Sequence, residues 1–127
     1  LMATEQNLIL RPVEVNVAVD IASYTEFVFL VRDATDMPVD LTHYTAVMQM
    51  RPYPSAKRLY DELTTENGRI EVVEDRVRVV FPEEVTATYK FDQAAYDLYI
   101  IAPGGQRYRL LQGVVRTTPM VTTNEAL

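Results

Sequence analysis

Few side chains in this chain have the type and spacing to do chemistry. His43 is its single histidine, and it has no cysteine. A general base, a nucleophile partner or a zinc site would have to use His43 or do without imidazole and thiolate. His43 stands in Leu41-Thr42-His43-Tyr44, the lead-in to a strand, where a turn residue is expected. Asp33, Asp36 and Asp40 are oxygen donors close in sequence, the type calcium takes. No glycine stands among them to make the sharp turn of an EF-hand loop, and turn aspartates ordinarily bond their own backbone. Glu83-Glu84 and Asp61-Glu62 are adjacent pairs that point apart, unlike the facing carboxylates roughly 5–9 Å apart in a glycosidase. With four glycines in all, there is no phosphate-cradling loop and no Gly-x-Ser-x-Gly elbow. The expectation is no enzyme, no cofactor and no metal site.

Recognition is the chemistry that remains. Eight tyrosines stand against no tryptophan, and tyrosine suits interfaces because its ring buries area while its hydroxyl stays bonded or wet. Tyr53 lies between Pro52 and Pro54, and Tyr99 shares a predicted strand face with Arg107 and Arg109. These four residues, with an N-terminal arm through Arg11, are the expected interface. The net charge of −6 and pI near 4.7 repel phosphate backbones and anionic lipid heads. Neither nucleic acid nor a membrane is an expected partner.

Short strands must position these side chains. The strongest signal runs from Ala95 to Val115, where two aromatic and aliphatic runs flank Pro103-Gly104-Gly105, a hairpin turn. With a three-residue loop, Tyr96, Leu98 and Ile100 share a buried face with Tyr108, Leu110 and Val114. Asp97, Tyr99, Arg107 and Arg109 then take the other face. A two-residue Gly-Gly loop would shift the pairing and mix the faces.

Upstream, Val13, Val15, Val17, Val19 and Ile21 alternate with Glu14, Asn16, Ala18 and Asp20, the pattern of a half-buried strand. Thr25 to Arg32 is apolar on both faces at its centre, which fits an inner strand. Tyr44 to Arg51 alternates with Val47 facing away from Met48 and Met50, and Pro52 and Pro54 end it. Arg58 to Leu63 reads as an edge strand. Arg69–Val73 and Arg76–Phe81 form a hairpin about Glu74-Asp75, with Arg76 and Arg78 outside and Val77 and Val79 inside. Pro82 to Tyr89 is the one helical turn, with proline early and acids in the first turn.

The sum is seven to nine short strands with turns between them, an all-β antiparallel sandwich or barrel. One domain is expected over 12–119, between the arm 1–11 and a tail 120–127. At 48% hydrophobic and 24% charged the chain is composed like a globular protein. Its apolar runs are far shorter than the ~20 residues that cross a bilayer, and no signal-peptide pattern opens it.

Four blocks, taken in order, resemble a family of small structural proteins of tailed bacteriophages and prophages. They are Pro38-Val39-Asp40-Leu41-Thr42; Tyr44, Ala46, Met48-Gln49 and Arg51; Leu63-Thr64-Thr65-Glu66-Asn67-Gly68-Arg69-Ile70; and Tyr96-Asp97-Leu98 with Pro103, Gly105, Arg109-Leu110-Leu111, Gly113 and Val115. The resemblance covers about residues 25 to 120. His43 departs from it, standing where an Asp-Leu-Thr-Gly-Tyr form has glycine.

The resemblance implies an Ig-like β-sandwich and a structural role in the virion, in the tail, baseplate or fibre-attachment region. Its partners would be other virion proteins and further copies of the chain, which would be made in the host cytoplasm. A more distant likeness is to the N-terminal domains of baseplate proteins that plug a fibre into the tail. The alternative from another class is a carbohydrate-binding sandwich at the host-facing surface.

Overall fold

The computed structural model describes residues 12–122. The expected arm and Arg11 lie outside the described residues, as does the end of the tail. In chain order the elements are β1 (Val13–Glu14), β2 (Val17–Asp20), β3 (Thr25–Leu30), β4 (Thr45–Arg51), β5 (Asp61–Thr64), β6 (Ile70–Val73) and β7 (Arg76–Phe81). The helical turn α1 (Glu83–Thr86), β8 (Gln93–Ile101) and β9 (Arg107–Thr118) complete them. The larger sheet runs β1-β9-β8-β4-β5, with β2 also on β9, and the smaller runs β3-β7-β6. Neighbours are antiparallel, except that β1 and β2 run parallel to β9. The β3-β7-β6 sheet faces the sheet that carries β4, β8 and β9, the two-sheet arrangement of the immunoglobulin sandwich. The fold is an Ig-like β-sandwich.

Period-two alternation builds the core. Ala46, Met48 and Met50 of β4 and Ala94, Tyr96, Leu98 and Ile100 of β8 point inward against Val77, Val79 and Phe81 of β7. The β6–β7 hairpin has the expected facing, with Val77 and Val79 inside and Arg76 and Arg78 outside. The helical turn is held by Thr86, whose hydroxyl is buried. It donates to the Ser23 carbonyl at 2.9 Å and accepts from the Ser23 N–H at 3.1 Å, tying α1 to the turn before β3.

Three expectations need correction. Thr25 to Arg32 is not an inner strand: β3 is an edge of the smaller sheet, with Val28 and Leu30 each 53% exposed. Apolar residues on both faces are compatible with an inner strand but do not require one.

The strand from Val13 to Ile21 is broken at Val15-Asn16. There the Val15 N–H donates to the Gln112 carbonyl at 2.9 Å, and the Asn16 side-chain oxygen accepts from the Val114 N–H at 3.0 Å. That side-chain bond stands in for a ladder bond between β1 and β2, which keep one register with β9.

The third correction lies in the last hairpin. Its loop is the three-residue form, closed by the Ala102 N–H donating to the Gln106 carbonyl at 2.8 Å. The register then shifts between Leu98 and Tyr99: Tyr99 pairs with Arg109 but Leu98 with Leu111. Leu110 is therefore an extra residue, a β-bulge. Leu110 and Leu111 are both buried, and beyond them Val115 is buried in place of Val114.

Candidate recognition face on the larger sheet

The face of the larger sheet turned away from the core collects side chains from four strands. On β9 they are Arg107 and Arg109, on β8 Asp97 and Tyr99, on β4 Val47 and Gln49, and on β5 Glu62. The tight Pro103–Gly105 loop sets Tyr99 directly opposite Arg109. Both Arg109 Nε and Nη2 donate to the Tyr99 hydroxyl, at 3.1 and 2.9 Å, and Nη1 donates to the Gln112 side chain at 3.1 Å. The Asp97 carboxylate stands 3.9 Å from Arg109 Nε. The Tyr99 hydroxyl foremost, and then Asp97, raise the Arg109 pKa above its ordinary value. The guanidinium centres of Arg107 and Arg109 lie 5.1 and 5.4 Å from the Tyr99 ring centroid, within cation–π range.

A second polar chain crosses the adjoining strands. Arg51 donates to the Gln49 side-chain oxygen at 2.7 Å, and Gln49 donates to Glu62 at 2.6 Å. Arg51 also caps the Ala56 and Lys57 carbonyls at 3.3 and 3.0 Å, fixing the loop that carries Tyr53. Tyr53 is 59% exposed.

Two shallow grooves, of about 660 and 590 Å3, lie side by side on this face and share Gln49 and Asp97. Tyr53 and Arg109 line the first, Tyr99 and Arg107 the second. The described part of the expected interface is thus gathered on one face. Gln49, Arg51 and Glu62 are not among the residues that the sequence places at the interface. The alternation of β4 puts Gln49 and Arg51 on its outer side, but nothing local says that β4 lies beside β8.

The residues considered for chemistry are dispersed. His43 is exposed, in the turn before β4. The Asp33 carboxylate accepts from the Thr35 hydroxyl and N–H at 2.6 and 2.8 Å and from the Met37 N–H at 3.0 Å. Those bonds, the Thr35 hydroxyl first, lower its pKa. Asp40 is held the same way by Thr42, with the same direction of shift. Each aspartate shapes its own turn. Among the described residues no three acidic or imidazole side chains group as a metal site.

Asp61 belongs to the sandwich: it pairs with Arg69 at 2.9 Å and accepts from the Tyr89 hydroxyl. Burial, with Asp61 beside it, pushes the Tyr89 hydroxyl well above its ordinary pKa. Several tyrosines therefore serve the interior, Tyr89 here and Tyr96 through its bond to the Val15 carbonyl at 2.7 Å. Tyr53 and Tyr99 face outward.

No family model matches the chain, and none of the curated proteins matches it in sequence. Among solved structures it is similar to the solution structure of the first Ig-like domain from human CD48 antigen, with a TM-score of 0.42 and 10% identity. That match covers 89% of this chain and 88% of the other.

Proposed function

We propose that the chain is a non-catalytic assembly module of a bacteriophage virion, in the tail, baseplate or fibre-attachment region. It docks on a neighbouring virion protein through the outer face of the larger sheet. The observation that carries this reading is the Tyr99–Arg109–Arg107 cluster beside exposed Tyr53. Tyrosine and arginine are the types that dominate binding energy where they are fixed in place at an interface. The cluster is fixed on strands, so little side-chain freedom remains to be lost on docking. Asp97 beside Arg109, and Glu62 further across the same face, favour a partner patch of mixed charge. The four sequence blocks that resemble phage structural proteins supply the virion setting.

The test is to express the tagged chain in cells producing the particles and to look for it in purified virions. The intact chain should co-purify, while Tyr99→Ala with Arg109→Ala should be lost from particles yet keep its folded circular dichroism. Particles free of the intact chain would overturn the reading.

A second reading has its own support. Gln49, Gln93 and Gln112 line the same groove as Tyr53, and amides around an aromatic platform are what a sugar ring meets in a binding site. A glycan array without signal above background removes it.

A further inference from the structure

β3 is the longest edge strand among the described residues, with six residues in an unbroken antiparallel register against β7. Its hydrogen-bonding phase follows from the residue just past its end. The Val31 N–H donates to the Asp75 carbonyl at 2.8 Å, in register with the β3–β7 ladder. Bonded and non-bonded pairs alternate along an antiparallel ladder, so Thr25, Phe27 and Phe29 direct their backbone groups at β7. Glu26, Val28 and Leu30 direct theirs away, and no described strand receives them.

Within β3 itself the usual protections of an edge are missing. β3 holds no proline, no lysine and no bulge, and its one acid, Glu26, is paired with Arg78. Such an edge is a template for another strand.

We infer that β3 pairs with β3 of a second copy of this chain, antiparallel about a two-fold axis through Val28. The edge is complementary to itself in that register. Val28 faces Val28, and each Glu26 faces Leu30 of the second copy, so all of the outward N–H and C=O groups of the three residues are matched. On the outer face, Val28 and Leu30 of both copies join into one apolar stripe. Leu30 is paired with Arg76 within its own sheet, so Glu26 of the second copy arrives two strands from Arg76. Arg76 has no ion pair among the described residues, and the two charges are complementary. A groove of about 640 Å3 runs along Val28–Ala34, bordered by Val13 and Leu111 of the other sheet. The contact uses a different surface from the outer face of the larger sheet and stands whether or not that face has a partner.

A six-residue strand pair lies at the small end of protein interfaces, so the dimer should be concentration-dependent. The experiment is sedimentation equilibrium across a concentration series for the intact chain, Val28→Lys and Leu30→Lys. Both substituted side chains are exposed, and Val28→Lys places like charges on the axis, so dimerisation should weaken by at least about tenfold with thermal unfolding unchanged. If one variant fails to fold, the other carries the comparison.

Pyrene attached at Val28→Cys, the only thiol in that variant, should give excimer emission, and the same label at Glu71→Cys should not. A chain that stays monomeric at its highest soluble concentration overturns the inference. So does a dimer indifferent to both lysines, or one lost on removing residues 1–11.

Discussion

The carbonyl oxygen of Val15 lies over the Cα of Gly113, closer than 3.0 Å to where a Cβ would stand. The obstacle is backbone, fixed on both sides by the Val15–Gln112 and Asn16–Val114 bonds, so it cannot move aside cheaply. Gly113→Ala should cost about 1–3 kcal/mol. Gly104→Ala, where the new methyl meets only the flexible Gln106 side chain, should stay within about 0.5 kcal/mol. Urea unfolding of the two variants measures the difference. Equal losses would refute the close approach of the Val15 backbone as the cause.

His43 has φ of 67°, the left-handed region, in a turn closed by the Tyr44 N–H donating to the Leu41 carbonyl at 3.0 Å. Glycine enters that region without the Cβ clash that other residues meet. His43→Gly should therefore raise stability by about 0.5–1 kcal/mol after allowing for the greater freedom of glycine in the unfolded chain. The midpoint of denaturant unfolding reads it directly, and a fall would contradict the strain assigned to His43.

Among the described residues Thr86 is the one buried polar residue other than tyrosine, and its hydroxyl is bonded to both backbone groups of Ser23. Thr86→Val keeps the shape but strands the Ser23 groups, at a cost of about 1–3 kcal/mol. Thr86→Ser, which keeps the hydroxyl, should recover most of that. If valine and serine behave alike in thermal unfolding, the hydroxyl is not what holds α1 to the β2–β3 turn.

Alkaline pH should unfold this protein through its tyrosines. Burial pushes the Tyr96 hydroxyl from 10.0 up to about 12, and Tyr89 is raised as well. The folded state then holds protons that the unfolded chain releases. Stability is full below pH 10.0 and falls as pH rises from there towards 12, by at most about 1.4 kcal/mol per pH unit per group. Tyr96→Phe should lose about 1 kcal/mol at neutral pH, from the stranded Val15 carbonyl, and flatten the fall above pH 10.0. An unchanged alkaline slope would refute the assignment to Tyr96.

What was legible in the sequence was local. Alternation placed Met48 and Met50 inside and Val47 outside, and the Pro103–Gly105 turn brought Tyr99 against Arg109 because only a three-residue loop separates their strands. The neighbours of each strand were not legible. Thr25-Glu-Phe-Val-Phe-Leu looks the same whether a strand or solvent lies beyond it, so its edge position was missed. Tyr53 and Arg109 line one groove because β4 pairs with β8 across more than forty residues of chain, which no local pattern encodes. The Leu110-Leu111 doublet was visible, but its meaning depended on a bulge set by the partner strand.

That doublet has a consequence for how the molecule can be altered. The bulge resets phase between the half of β9 that displays Arg107 and Arg109 and the half that docks β2, and so makes the hairpin tip and the sandwich floor independent modules. Foreign residues inserted between Gly104 and Gly105 would extend the tip and leave every pairing below it in step. Deleting either leucine would invert one half against the other, turning Arg109 towards the interior or Val115 towards water. The tip is a grafting point, and the doublet is the joint that must be left alone.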